Sequence, residues 1–108
     1  MATFQVRILD SAEQDLKQII RWVAKNDSPA KAKNLLDKLV ESYLSLEELP
    51  LRGHHLPELT KIGISDYLEI HQGPYRLIYQ VTQKTVFIHA VLDGRRDMED
   101  LLSQRLLG

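Results

Sequence analysis

The amino-terminal part of the chain changes from a two-residue to a helical hydrophobic period. Phe4, Val6 and Ile8 alternate with polar residues, which is typical of a strand with one buried face. Apolar residues then recur every three or four positions over residues 11–25 and again over residues 28–46. This pattern predicts one strand followed by an antiparallel hairpin of two helices.

Capping residues indicate where the helices begin. Ser11, with Gln14 three positions later, forms a capping-box pattern. Ser28 precedes Pro29, and proline is well tolerated at the first helical position because an N–H there would have no intrahelical partner. Asp97 offers a similar cap for a short carboxy-terminal helix. We therefore expect two long helices to begin at these serines and a third to follow Asp97.

Three consecutive strands are predicted in the carboxy-terminal half. Residues 48–65 contain prolines and glycines but little periodicity, so we interpret them as an ordered loop across the sheet edge. Strands are predicted at residues 67–71, 75–81 and 86–92, joined by tight turns. Because short turns join antiparallel neighbours, these strands should form an antiparallel meander.

Alternation within the strand at 75–81 separates two rows of side chains. One row is entirely apolar or aromatic, and the other contains an arginine. The rows are Tyr75, Leu77, Tyr79 and Val81, and Arg76, Ile78 and Gln80. We expect the first row to lie under the helices and the second on an open sheet face. The predicted fold class is therefore α/β of the α+β kind, with a helical hairpin on one face of a mainly antiparallel sheet.

Composition indicates a single globular domain over residues 1–108. The sequence has no cysteine, which excludes disulfides and thiolate metal sites and fits a reducing compartment. Its 14 Lys and Arg against 15 Asp and Glu give a net charge of −1, so any affinity for nucleic acid would be local. With neither a signal-peptide pattern nor an apolar run of bilayer length, we expect a cytoplasmic protein that does not bind membranes.

Three arginines form the strongest candidate anion site. Arg76 interrupts an otherwise apolar strand, and Arg95 and Arg96 follow the last strand. Guanidinium groups are permanently charged, forked donors suited to phosphate or carboxylate. On an open face, Arg76 would contact an anionic ligand or partner, and its removal would leave the fold intact. Alternatively, Arg76 pairs with Glu69 on the neighbouring strand, and the other two arginines are ordinary turn charges.

Other reactive residues give weaker signals. No histidine pair has helical i, i+4 spacing and no cysteine completes a zinc set, so no metal site is predicted. His71 is expected near Arg76 across the hairpin, where an imidazole could act as a general base. The serines lack a nucleophile-elbow context, no phosphate-binding glycine loop is present, and Trp22 is assigned to the core. The sequence therefore predicts no cofactor.

Four short motifs occur in this order of elements. They are Ala12-Glu13-Gln14-Asp15-Leu16 with Ile19, Leu49-Pro50 with Gly53, Tyr75-Arg76-Leu77-Ile78-Tyr79, and Gly94-Arg95-Arg96-Asp97. Together they resemble the RelE/ParE superfamily of toxins from bacterial type II toxin-antitoxin systems, also known as the plasmid stabilisation protein family. The resemblance covers nearly the whole chain. It implies a RelE/ParE-like fold, growth inhibition, and a cognate antitoxin that wraps the toxin in a hetero-oligomer.

Two activities are known in this superfamily, and the resemblance leaves both open. ParE-like members poison DNA gyrase, whereas RelE-like members are mRNA interferases that enter the ribosome and cleave messenger RNA. A third possibility is a nontoxic module that receives a partner peptide on the open sheet face.

The RelE-type catalytic residues are matched only in part. The two arginines of that site correspond to Arg76 and Arg96, but Glu69 and His71 stand where strand lysines are expected, and the last helix has no tyrosine. In relatives that use a glutamate, an arginine and a histidine, Asp93 would replace the histidine. The resemblance therefore favours a ParE-like gyrase inhibitor whose three arginines contact the target. A RelE-like endoribonuclease using Arg76, Arg96, His71 and Glu69 is the alternative.

Overall fold

The structure is a computed structural model that describes residues 3–107. Its strands are β1 (Gln5–Ile8), β2 (His54–His55), β3 (Leu68–Gln72), β4 (Tyr75–Thr82) and β5 (Thr85–Asp93). Its helices are α1 (Asp10–Asn26), α2 (Pro29–Leu44), α3 (Pro57–Thr60) and α4 (Met98–Leu102), with a 3₁₀ turn (Ser45–Glu47) after α2 and a π-helical turn (Ser103–Leu107) after α4. Within this described part of the chain, no helix combines the length and apolarity needed to cross a membrane.

The strands form one five-stranded sheet in the order β1-β5-β4-β3-β2. β3, β4 and β5 are antiparallel neighbours, which confirms the predicted meander, and β1 lies parallel to β5. β2 pairs antiparallel with β3 and places His54 opposite Glu69. The segment predicted as a loop across the sheet edge therefore contributes a short edge strand of its own.

The two long helices cover one face of the sheet, as predicted. Leu16 of α1 and Leu39 of α2 are buried in one cluster with Leu77 and Tyr79 of β4. The buried members of this first core are Ala12, Leu16, Leu39, Leu46, Ile70, Tyr75, Leu77, Tyr79, Val86, Ile88 and Val91. Because burying one large apolar side chain contributes roughly 1.5–3 kcal/mol, this layer contributes a large part of the stability of the fold.

The opposite sheet face is covered as well, so the predicted open face is wrong. Leu59 of α3 and Met98 and Leu102 of α4 are buried in a second core together with Ile78 and Ala90 of the sheet. α3 is only four residues long and α4 only five. Helices this short leave little periodic signal in a sequence, and nothing in the pattern indicates which sheet face they cover.

A register shift explains how β5 contributes to both cores. Ile78 lies opposite Ala90 and Tyr79 opposite Ile88, so β5 carries one extra residue, His89, at this point. An extra residue on one strand reverses the alternation of side chains beyond it. Ile88 therefore belongs to the first core and Ala90 to the second.

Two of the predicted helix caps are confirmed, and one is wrong. The side chains of Ser28 and Asp97 each accept a hydrogen bond from the backbone N–H three positions later. α1 begins at Asp10 without a side-chain cap, one residue before the predicted cap. The Ser11 hydroxyl instead donates to the carbonyl oxygen of His89 at 3.3 Å, so it contacts the sheet and not its own helix.

Gly53 occupies a position with no room for a side chain. Its N–H donates to the hydroxyl of Tyr79 at 3.0 Å. A Cβ at this position would lie 2.5 Å from that hydroxyl oxygen and 2.6 Å from the carbonyl oxygen of Glu69. The missing side chain therefore allows the chain entering β2 to close against β3 and β4.

An ion pair between Asp15 and Arg105 joins α1 to the carboxy-terminal turn. Both terminal nitrogens of Arg105 donate to the Asp15 carboxylate, at 2.8 and 2.9 Å. Asp15 also accepts a hydrogen bond from the backbone N–H of Val91 at 3.0 Å. One carboxylate thus holds together α1, β5 and the end of the described chain.

We expect Arg105→Met to lower the free energy of unfolding by about 1.5–3 kcal/mol, the usual range for hydrogen bonds to a charged group. Urea denaturation followed by circular dichroism measures this change. The matched control is Lys33→Met, because the Lys33–Asp37 pair on α2 is solvent-exposed. Exposed pairs contribute no more than about 1 kcal/mol. Equal losses in the two variants would contradict a structural role for the Asp15–Arg105 pair.

Candidate functional site

Arg76 lies near the start of β4, opposite His71 of β3 and Leu92 of β5. Its side chain is only 11% exposed. The expectation of an accessible arginine on an open sheet face is therefore wrong, because the segment that includes α3 folds over this end of the sheet. The expected proximity of His71 and Arg76 across the hairpin is confirmed.

Two carboxylates hold the guanidinium of Arg76. Nη1 and Nη2 donate to the two oxygens of Glu58 on α3, both at 2.7 Å. Nε and Nη2 donate to the two oxygens of Glu69 on β3, at 2.5 and 3.0 Å. The alternative interpretation, in which Arg76 pairs with Glu69, is confirmed. Glu58 is a further partner that the sequence pattern did not reveal, because it lies in the segment predicted as a loop.

We call Glu58, Glu69 and Arg76 the ion-pair cluster, because their charged groups contact one another at one partly buried site. One guanidinium and two carboxylates give it a net charge of −1. Glu69 is 1% exposed, and a buried carboxylate is tolerated only when it is paired. Hydrogen bonds from Arg76 lower the pKa of Glu58 to about 2. Hydrogen bonds to Glu58, and then to Glu69, raise the pKa of Arg76 further above its usual range.

The turn after β5 packs directly onto the aliphatic part of Arg76. A Cβ at Gly94 would lie 2.9 Å from Cδ of Arg76 and 3.0 Å from the carbonyl oxygen of Pro74. The N–H of Gly94 donates to that same carbonyl at 2.8 Å. Gly94 therefore lets the arginine-bearing turn approach β4, which accounts for the glycine in the Gly94-Arg95-Arg96-Asp97 motif.

Two histidines flank Glu69 at the edge of the cluster. Nε2 of His71 lies 3.0 Å from Oε1 of Glu69, and Nδ1 of His54 lies 3.7 Å from Oε2. The two imidazole rings meet edge to face, with their centroids 5.3 Å apart. A cavity of about 400 Å³ opens beside them, and Arg76 and Arg95 also line it.

Arg95 and Arg96 lie outside the ion-pair cluster. Arg95 forms a forked pair with Asp93, at 2.9 and 2.7 Å, and the hydrogen bond from Arg95 lowers the pKa of Asp93. Arg96 is exposed and forms no ion pair with any residue in the range 3–107. The structure therefore separates Arg76 from Arg96 and does not place the three arginines at one anion site.

A groove of about 470 Å³ runs between α1 and the end of β5, and Arg95 and Arg96 lie along its rim. Ile19 and Trp22 form its α1 side. Trp22 is 64% exposed, so its assignment to the core is wrong. We call this surface the α1–β5 groove. The helical stripe of α1 could have indicated it, since Trp22 follows Ile19 by three positions and both project toward the same side.

We expect Arg76→Met to lower the free energy of unfolding by about 3–5 kcal/mol, because Glu69 would remain buried without its charged partner. This replaces the interpretation in which Arg76 is removed without effect on the fold. Urea denaturation of the purified protein measures the loss. Arg95→Met is the matched control, since that side chain is 69% exposed. An Arg76 variant as stable as the Arg95 variant would show that the cluster does not support the fold.

Acid should weaken the fold through Glu58. Its pKa is lowered on folding, so the unfolded chain binds a proton first, and stability falls as the pH decreases from about 4.5 toward 2. Denaturation series at several pH values in this window should show a shallower decline for Glu58→Gln than for the original protein. Glu48→Gln, at an exposed carboxylate, is the control and should retain the full decline. Parallel curves for the Glu58 variant and the original protein would rule out this assignment.

Comparison with solved structures shows which fold this is. The chain is similar to a structure described as the chromosomal ParDE toxin-antitoxin system from P. aeruginosa, with a TM-score of 0.70, 17% identity, and coverage of 84% of this chain and 96% of that one. At that identity the likeness concerns the fold alone. It is also similar to the toxin-antitoxin complex RelBE2 from Mycobacterium tuberculosis, with a TM-score of 0.61, 26% identity, and coverage of 86% and 93%. No curated protein sequence matches the chain significantly.

A family comparison extends this likeness to the sequence. The family described as the ParE toxin of type II toxin-antitoxin system, parDE, matches residues 6–98. That range runs from β1 to the start of α4 and includes the ion-pair cluster and the α1–β5 groove. The predicted RelE/ParE-like fold is therefore confirmed, and this chain belongs to the ParE toxin family of type II toxin-antitoxin systems.

Proposed function

We propose that this ParE-family toxin inhibits growth by poisoning DNA gyrase in the cytoplasm and that a cognate antitoxin neutralises it. We choose gyrase over messenger RNA because of the hydrogen bonds that Arg76 forms. Its guanidinium donates to both oxygens of Glu58 and both oxygens of Glu69. A group committed in this way is a poor ligand for a phosphate of RNA.

The groups required for RNA cleavage also argue against a nuclease. Attack of a 2′-hydroxyl requires a base, a proton donor and a cation that stabilises the phosphorane. The cluster brings His71, Glu69 and Arg76 together, but its ion pairs leave it with a net charge of −1 and Glu69 is buried. Arg96 lines the α1–β5 groove on another part of the surface. This arrangement supports a toxin that acts by binding and not by cleaving RNA.

The α1–β5 groove is the surface we assign to the gyrase contact. It combines the exposed indole of Trp22 with the exposed guanidinium of Arg96, and Arg95 lies beside them. Aromatic and arginine side chains commonly supply most of the binding energy at protein interfaces. Arg76 contributes to this surface indirectly, by supporting the Gly94 turn from which Arg95 and Arg96 project.

The antitoxin is proposed from the family and from the solved relatives. Both similar structures are described as toxin-antitoxin systems or complexes. Extended or helical peptide segments bind folded domains by adding a strand to a sheet edge or by docking in an apolar groove. The chain offers both kinds of surface, since β1 and β2 are the outer strands of the sheet and a second groove on the helices is lined by Leu16, Ile20 and Leu36.

The two targets can be separated directly in vitro. We expect the purified toxin to inhibit gyrase-catalysed supercoiling of plasmid DNA and to produce no messenger RNA fragments in a ribosome-dependent cleavage assay. A preparation that cleaves messenger RNA and leaves supercoiling unaffected would identify the RelE-like alternative. A correctly folded protein inactive in both assays, and harmless on strong expression, would favour the nontoxic peptide-binding module.

Variants in the α1–β5 groove test the proposed contact. Loss of one charged hydrogen bond costs about 1.5–3 kcal/mol, so Arg96→Ala should weaken gyrase inhibition by roughly one to two decades. Trp22→Ala should weaken it as well. Arg21→Ala is the matched control, because this exposed α1 residue lines a different surface groove. Full inhibition by both groove variants would place the gyrase contact elsewhere.

A further inference from the structure

We propose that His54, Glu69 and His71 form a binding site for a divalent transition-metal ion such as Zn²⁺. The proposal goes beyond the gyrase function and does not depend on it. One ligand atom from each side chain lies within 4.8 Å of the other two. Imidazole nitrogens and a carboxylate oxygen are the donor set that zinc and related metals accept, with a fourth position left for water.

The strand pairing explains why these three residues meet. His54 of β2 lies directly opposite Glu69 of β3, and His71 follows Glu69 by two positions on the same face of β3. Regular sheet geometry therefore sets the spacing of the three donors. A search of the sequence for helical histidine pairs or cysteines does not detect a site of this kind, because its ligands come from two strands that are distant in sequence.

The donor distances are close to those of a metal site. Bonds of about 2.0–2.1 Å at tetrahedral angles separate ligand atoms by roughly 3.4 Å. Nε2 of His71 lies 3.0 Å from Oε1 of Glu69, and Nδ1 of His54 lies 3.7 Å from Oε2, so each histidine faces a different oxygen of the same carboxylate. Small side-chain rotations of the two exposed histidines would adjust both distances, while the buried carboxylate stays fixed.

Glu69 is held in place in the way that ligating carboxylates commonly are. Metal-binding carboxylates usually accept a further hydrogen bond from a neighbouring group, and Arg76 supplies it here. Each carboxylate oxygen has two acceptor positions, and Arg76 occupies one on each oxygen. The second position on Oε1 now accepts from His71, and it becomes available to a metal when His71 turns from donor to ligand. Glu58 offsets the charge of Arg76, and the resulting net charge of −1 favours a cation at this position.

Metal binding at His54 would replace one existing hydrogen bond. Nδ1 of His54 donates to the carbonyl oxygen of His55 at 3.1 Å. Coordination through Nδ1 requires the tautomer that carries its proton on Nε2, so the proton moves from Nδ1 to Nε2 by exchange with solvent and that hydrogen bond is lost. His71 makes the same exchange, because its Nε2 donates to Oε1 of Glu69 and must carry its proton on Nδ1 instead to bind a metal. The exchange is local, because His54 is 62% exposed and its ring can turn without moving the sheet.

A bound ion would crosslink β2 to β3. β2 consists of two residues at the edge of the sheet, and α3 with Glu58 follows it closely. A ligand that binds only the folded chain stabilises that state in proportion to its concentration and affinity. The metal would therefore stabilise the segment that encloses Arg76.

The test uses the full chain without an affinity tag, titrated with ZnCl₂ by isothermal titration calorimetry. We expect one Zn²⁺ per chain, and we expect His54→Ala and His71→Ala each to weaken the affinity at least tenfold. His55→Ala is the matched control, since His55 is the exposed neighbour of His54 but lies outside the donor set. Circular dichroism establishes that each variant is folded.

A second readout reports coordination itself. Co²⁺ added to the original protein should give visible absorption bands typical of a four- or five-coordinate site, and either histidine variant should lose them. The proposal is overturned if Zn²⁺ binds the original protein no more tightly than it binds the His54→Ala/His71→Ala double variant. It is also overturned if His55→Ala weakens binding as much as His54→Ala does. Neither result bears on gyrase inhibition, which is measured separately.

Discussion

The ion pairs of Arg76 connect α3, a helix of only four residues, to the antiparallel pair of β3 and β4. The guanidinium of Arg76 on β4 is paired with Glu69 on β3 and with Glu58 on α3. Removing these charges from water is costly, and the cost is offset only when all the partners are in place. The position of α3, and with it the covering of the second sheet face, therefore depends on a polar interaction as well as on the second core. The turn that carries Arg95 and Arg96 also depends on Arg76, because Gly94 in this turn packs against the aliphatic part of the Arg76 side chain.

This arrangement changes how the arginines of the chain are understood. An arginine in a strand can bind a ligand or support the fold, and the two roles compete for the same N–H donors. Four of the five N–H donors of Arg76 already bind Glu58 and Glu69. Arg76 has the second role, while Arg96 remains exposed beside Trp22. The ion-pair cluster and the α1–β5 groove are separate regions joined by one short turn. Substitutions in the first region should act mainly on stability, and those in the second mainly on binding.

Much of the fold could be predicted from hydrophobic periodicity. The helical hairpin and the meander follow from long, regular patterns, and the caps at Ser28 and Asp97 follow from local hydrogen bonding. The covered second face could not be predicted, because α3 is too short to show a period and the predicted helix after Asp97 carries no pattern that indicates which face it covers. The exchange of faces at His89 depends on one extra residue in β5, which only the pairing with β4 reveals.

The candidate site was less predictable than the fold. The pairing of Arg76 with Glu69 was one of two open interpretations, since strand neighbours can be inferred from a hairpin. Glu58 and His54 could not be assigned, because both lie in the segment predicted as a loop and their positions depend on Gly53 closing against Tyr79. The exposure of Trp22 does not follow from the helical pattern, since an aromatic residue on an amphipathic helix can lie at the edge of the buried stripe and remain exposed.

The parallel pairing of β1 with β5 affects how the protein can form during synthesis. β1 emerges from the ribosome first, but its partner residues are Thr85, Val86, Phe87 and Ile88, near the other end of the chain. Contacts this distant in sequence form late, because the intervening chain must be ordered before they can be made. α1 and α2 have only an incomplete sheet to pack against until β5 is available. The sheet that carries the α1–β5 groove is therefore complete only when nearly all of the chain has been translated.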